Sequence, residues 1–253
     1  VARTRRGARA RVRRWERPRP LPGPDHPRPF VEHLEELRGR LIKSLIAVLI
    51  ASSAAMYATD PVIRFLARTS GGFVFLRPTE AIFTRIKIAL ALGLLITLPF
   101  VLFQAWRFVT DALAPGARRA LKWTIPVSYV LFLAGCAFGF FVLVPIGAKY
   151  LLACGNEVMK PLISVDSYVG FTGMICLALG VIFQLPLVSF FASRLGILDP
   201  ALLSRNRRIA ILATYILCAL LTPGPDPFTA IMLFIPTYLL YEASILTAKL
   251  ARR

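Results

Sequence analysis

"IAILATYILCALLTPGPDPFTAIMLFIPTYLLYEASILTA", residues 209–248, is an almost unbroken apolar stretch with one interruption, "PGPDP", at 223–227. Whether it crosses a bilayer once or twice decides on which side the chain ends. A crossing of about 30 Å takes about 20 helical residues, so this stretch is too long for one span. Its three prolines and one glycine end a helix in the middle. The reading is two spans, 209–222 and 228–248. The first has 14 residues, about 21 Å of helix at 1.5 Å per residue. It is short, so either the second follows from a shallow turn or the bilayer thins around both, at a cost of fractions of a kcal/mol per Å.

Working outward, four more apolar runs of span length lie near 41–58, 82–104, 123–145 and 167–192. The whole chain of 253 residues is 57% hydrophobic and only 17% charged, with mean hydropathy +0.65, far from the share of about a quarter charged residues in soluble domains. The expected fold is an all-α integral membrane protein, a bundle of six transmembrane helices over residues 30–253 with the last two spans short. Prolines 99, 126, 145, 186 and 236 lie within or at the ends of spans and imply bends in a packed bundle. Gly135 and Gly139 form a small-xxx-small pair suited to close helix approach.

Residues 1–29 hold ten arginines and many prolines but few apolar side chains, the composition of a disordered tail attracted to anionic lipid. Basic charge alone does not make it a nucleic-acid binder, and none is expected. With six spans, 24 of the 31 Lys and Arg fall on the side of the termini. The positive-inside rule then places both termini in the cytoplasm. The four cysteines, in or between apolar runs, lack paired spacing, so packing is their expected role.

A basic chain of net charge +18 nevertheless gathers three of its thirteen acids in "VEHLEELRGRL", 31–41. As a helix, this stretch aligns leucines 34, 37 and 41 on one stripe and glutamates 32, 35 and 36 on the other, so the acids are expected to face away from the core. One reading is a solvated helix start, with Glu36 paired to Arg40 at i,i+4. The other is a cation-binding island, because a carboxylate takes a guanidinium in two parallel hydrogen bonds. Elsewhere, strongly polar groups in or near spans are few: Glu80, Arg85, Lys87, Gln184 and Glu242. Gln184 is read either as an interhelical strut or as a contact for a partner helix. Glu80 and Lys87 are read as helix-end groups pairing or snorkelling at the interface. No phosphate loop, zinc-protease or nucleophile-elbow motif is present, so no catalytic residue, metal or cofactor is expected.

Five stretches, taken in order, resemble the TatC family of twin-arginine protein translocases: "HLEELRGRL" (33–41), "FLRPTEAIFTRIKIAL" (75–90), "LPFVLFQAWRFV" (98–109), "FQLP" (183–186) and "LTPGPDPFTAIMLFIPTYLLYE" (221–242). The likeness covers about residues 31 to 250. It implies a receptor rather than an enzyme, one that binds Arg-Arg signal peptides of folded cargo at the cytoplasmic face. It further implies work with single-span TatA and TatB partners and other TatC copies, driven by the proton-motive force. Glu36 matches the family's glutamate that pairs with the twin arginines. The same resemblance marks Arg38, Pro78, Glu80, Phe83 and Lys87 as structural motif positions. Further along the chain it marks Pro99, Trp106, Phe108, Pro186, Pro223, Asp226 and Glu242.

Three features depart from the family pattern. Where the family often has a second signal-binding glutamate, just before Arg118–Arg119, this chain has Ala117, so Glu35 or Asp111 is expected to supply the second negative charge. Where many members carry a glutamate, Gln184 stands; it can hydrogen-bond but cannot hold a proton, leaving partner-helix docking as its implied role. The arginine-rich tail has no family counterpart. The rival function is a small secondary transporter, which would show a polar midplane site at broken helices and often internal repeats; no convincing repeat is seen and only Gln184 lies at such depth.

Overall fold

The computed structural model describes residues 30–70, 72–74, 76–111, 118–153, 162–194, 196, 198–222 and 227–251. The tail 1–29 lies outside them. Among the described residues the chain is helical, with five helical segments long and apolar enough to cross a membrane: Leu34–Arg68, Glu80–Val109, Trp123–Ala153, Val165–Arg194 and Pro227–Ala251. The expected span at 209–222 is a 15-residue helix, Arg207–Leu221, outside that set. It is an integral membrane protein.

The first segment is α1, Phe30–Ala55, which passes through a tight turn, Met56–Ala58, into α2, Thr59–Ser70. Helix α2 was not expected. It is amphipathic, with Val62, Ile63 and Leu66 against the core and Arg64 and Arg68 exposed. Next comes α3, Glu80–Asp111, with Pro99 inside it. The third segment joins α4, Arg118–Phe138, to α5, Val144–Ala153, through a single wide turn, Gly139–Leu143. There Val144 N–H reaches back to Gly139 C=O, five residues. Pro145 has no N–H for the normal bond to residue 141, and a wide turn next to it absorbs the break.

The expected run 167–192 is likewise two helices, α6, Val165–Ile182, and α7, Leu185–Arg194, parted at Phe183–Gln184. Pro186, the second residue of α7, has no N–H to donate to the Ile182 carbonyl four residues back, so the helical ladder breaks just before it. A short α8, Pro200–Arg205, is capped by Asp199, whose Oδ1 accepts from Ala201 N–H at 3.1 Å. It leads to α9, Arg207–Leu221, and α10, Pro227–Ala251.

Helix α1 packs on α3, α3 on α4 and α6, α4 on α6, and α10 on α7 and α9. The core where these meet includes Ile88, Leu143, Val144, Ile175, Leu179 and Leu233. Small residues set the close crossings. A Cβ on Gly135 would stand 2.6 Å from Leu179 O, and one on Gly139 would stand 3.1 Å from Leu179 Cδ1, so the expected small pair seats α4 on α6. Gly93 is tighter still: a Cβ there would lie 2.1 Å from Ser52 Oγ, so α1 and α3 touch backbone to backbone.

One expectation is reversed. The leucine stripe of α1 does not face the core: Leu34 is 47% and Leu41 66% exposed, and Leu37 is exposed with them. The covered face carries Glu36, Arg40, Ser44, Ser52 and Ala55 instead. In lipid the apolar stripe belongs outside, and small or paired polar groups make the helix contact.

Candidate functional site

Helices α1 and α3 fix the position of the first site. Ser52 meets Gly93, and eight residues further on Asp60 pairs with Arg85, eight residues back from Gly93. The helices therefore run antiparallel, and equal rises along both bring Glu36 about level with residue 109. Glu36 thus sits at the face of the bundle where α1 begins and α3 ends, called here the N-terminal face. Its carboxylate is held by Arg40, one turn on: Arg40 Nε donates to Glu36 Oε1 at 3.1 Å, and Arg40 Nη2 donates to the same oxygen. The side chains are 11% exposed for Arg40 and 23% for Glu36. The neighbouring Glu35 and Arg38 are exposed, since successive helical residues point about 100° apart.

The structure therefore brings Glu36 and Arg40 together and leaves Glu35 on the open side. Asp111 closes α3 at the same face; its side chain, and Ala117, lie outside the described residues.

A second polar node lies where the chain breaks between α6 and α7. Trp106 Nε1 donates to Ser128 Oγ at 3.0 Å, Ser128 Oγ donates to Gln184 Oε1 at 2.6 Å, and Gln184 Nε2 donates to the Ser128 carbonyl at 2.8 Å. Trp106 also meets Phe191 of α7, ring centroids 5.1 Å apart. Gln184 thus joins the α6–α7 break to α4 and, through Ser128, to α3. These bonds use one N–H and one lone pair of the amide and leave one of each. Nothing in the sequence pointed to Ser128, a hydroxyl among many in the spans.

The remaining motif residues fasten the ends of the bundle. At the N-terminal face Glu242 accepts from Arg207 Nη2 at 2.9 Å and from Tyr238 OH at 3.0 Å, tying α9 to α10. Tyr241 OH donates to Leu203 O of α8 at 2.7 Å, and Thr247 Oγ1 to Pro186 O at 2.9 Å.

At the opposite face Glu80 Oε2 accepts from Leu76 N–H at 3.1 Å and Ser164 Oγ at 3.0 Å, beside a backbone bridge between Val74 and Ser164. Lys87 pairs with Asp166 at 2.7 Å and Arg85 with Asp60 at 2.8 Å. This is the helix-end pairing expected of Glu80 and Lys87, with partners the sequence did not name. Pro78, Phe83 and Pro99 are exposed and Phe108 is half-buried. Pro223 and Asp226 lie outside the described residues.

Fold and site define a polytopic helical membrane protein whose described ion pairs sit at its two faces, with a hydrogen-bonded node between helices. The family model of the Sec-independent protein translocase protein (TatC) matches residues 32–236. A TatC of Carboxydothermus hydrogenoformans is 37% identical over 229 residues, covering 89% of this chain and 94% of the relative. One of Aquifex aeolicus is 36% identical over 235 residues, covering 89% and 96%. A crystal structure of the twin arginine translocase receptor TatC superposes with TM-score 0.78 at 37% identity, covering 87% of this chain and all of that one. The chain belongs to the TatC family of protein translocase proteins, and it is a translocase component, not an enzyme.

Proposed function

We propose that this chain is the signal receptor of a twin-arginine translocation system, and that Glu36 receives an arginine of the Arg-Arg signal peptide at the cytoplasmic face. The observation that carries this reading is the state of Glu36: a half-covered carboxylate already binding a guanidinium, at the face where α1 begins. A partly desolvated charge-assisted bond is worth about 1.5–3 kcal/mol, against about 0–1 for an exposed pair. Arginine is preferred over lysine because its planar fork supplies parallel donors where an ammonium is a point charge. Glu35 and Asp111 add negative charge nearby, in place of the glutamate absent at Ala117.

In this reading α9 counts as a fifth, short span and α10 as the sixth, both termini are cytoplasmic, and the membrane is the cytoplasmic one. The distribution of Lys and Arg supports that orientation. The membrane domain runs over 30–253, and residues 1–29 form a disordered basic tail that, with the basic cytoplasmic face, meets anionic lipid. Single-span TatA and TatB subunits and other copies of the chain complete the machine, which draws on the proton-motive force. A partner helix docks at Gln184 through the amide N–H and lone pair that the intramolecular node leaves over.

The test is binding of a twin-arginine signal peptide and its twin-lysine variant to the purified protein, with and without Glu36→Gln. The expected result is a preference for arginine and a loss of about tenfold or more in affinity for the twin-arginine peptide in the mutant. Equal, weak binding in all four cases would reduce Glu36 to a helix-start residue and overturn the assignment.

A further inference from the structure

Glu36 is not an empty acceptor. Arg40 lies one turn along the same helix and places Nε and Nη2 on one carboxylate oxygen. The pair is more covered than Arg85–Asp60, Lys87–Asp166 or Arg207–Glu242, each of which leaves at least one side chain about half exposed. A guanidinium arriving from outside therefore meets a carboxylate already engaged by the same chemical group.

We infer that Arg40 is a resident competitor for the receptor carboxylate, which every ligand that engages Oε1 must displace, and that it sets the affinity threshold of the site. The inference rests on the reading of Glu36 as the receptor residue. Because the i,i+4 spacing is built into the helix, Arg40 is always within reach and its return needs no rearrangement of the bundle. Ligand and Arg40 are then alternatives at one acceptor. Apparent affinity equals intrinsic affinity multiplied by the fraction of time that Glu36 is released.

That relation has a specific consequence. The threshold scales all ligands by one factor, so Arg40 does not choose between arginine and lysine. It lowers both, and a lysine ligand, intrinsically weaker because it lacks the fork, falls below useful occupancy first.

The experiment measures binding of twin-arginine and twin-lysine peptides to the full chain in detergent or nanodiscs, for wild type, Arg40→Gln, Arg40→Lys, Glu36→Gln and the Glu36→Gln/Arg40→Gln double variant. With Arg40→Gln both peptides are expected to tighten about three- to tenfold by the same factor, with their ratio unchanged. Arg40→Lys, which keeps the charge but loses the fork and is the milder change to the fold, tightens both by less. In the Glu36→Gln background, Arg40→Gln is expected to give no such tightening, because the carboxylate it competes for is gone.

Weaker binding in Arg40→Gln would make Arg40 a positioning residue for Glu36 and overturn the inference. So would tightening that persists in the Glu36→Gln background, which is general charge repulsion. Either result leaves the receptor reading intact so long as Glu36→Gln alone weakens binding; if it does not, both readings fall together.

Discussion

Glu36 is paired differently from the charged groups at the opposite face of the bundle, and from Glu242 at its own face, whose partner Arg207 lies 35 residues away. At the face away from the N-terminus, three pairings among the described residues join distant parts of the chain: Lys87 to Asp166, 79 residues apart, Ser164 to Glu80, 84 apart, and Arg85 of α3 to Asp60 of α2. At the entrance to α1, Glu36 and Arg40 are four residues apart on one helix. A long-range pair holds two elements together, so opening it loosens the fold. A local pair closes no loop, and its helix is held elsewhere, by Ser44, Ser52 and Ala55 against the rest of the bundle. On the proposed reading the difference separates a structural charge from an exchangeable one: Glu36 would change partners while α1 stays where it is.

The surest way to break this comparison is to detach α1. Gly93→Ala adds one methyl where a Cβ would stand 2.1 Å from Ser52 Oγ and 2.6 Å from Ser52 N, and backbone cannot step aside as a flexible side chain does. The expected loss is about 3 kcal/mol, the upper end for overpacking, read as a fall in the thermal midpoint in detergent. Gly173→Ala in α6, where a Cβ meets nothing within 4 Å, is the matched control and is expected to be neutral or slightly stabilising. Equal midpoints for the two variants would mean that α1 is not held at this crossing.

The node at Gln184 is intermediate between the two kinds of pairing: long-range, yet with amide capacity left over. Gln184→Leu leaves the Ser128 carbonyl and hydroxyl without that partner, and about 1–3 kcal/mol of stability is expected to go with the lost bonds. Copies that retain their midpoint but no longer co-purify single-span partners would point to docking as the main role. A lowered midpoint with normal co-purification would make the residue an internal strut alone.

What could be read from the sequence follows from which interactions are local. The long apolar runs, the short segment at 209–222, the Gly135–Gly139 crossing and the Glu36–Arg40 spacing are all properties of contiguous residues, and all are found in the fold. Ser128 beneath Gln184 and Asp166 beside Lys87 are brought in by tertiary folding from 56 and 79 residues away, with no trace in local pattern. The face of α1 was misread for a different reason. Leucines 34, 37 and 41 were placed inward by a rule drawn from water, whereas lipid rewards their exposure and leaves Glu36 and Arg40 on the covered side. The amphipathic α2 was overlooked because at 12 residues, Thr59–Ser70, it is too short to register as a span.

The smallest effect expected is also the one that tests the comparison from its structural side. Lys87→Met removes the Asp166 partner while keeping an unbranched side chain against α6, and both groups of the pair are substantially exposed, at 45% and 29%. Pairs so exposed contribute about 0–1 kcal/mol. The midpoint should fall slightly, and less at high salt, where screening has already weakened the pair. Signal-peptide affinity should be unchanged, since Lys87 lies at the face opposite Glu36. A drop in peptide affinity comparable to that of Glu36→Gln would show that the two faces are coupled through α3, the helix that carries Lys87 at one end and reaches the level of Glu36 at the other. The division between structural and exchangeable charge would then no longer hold.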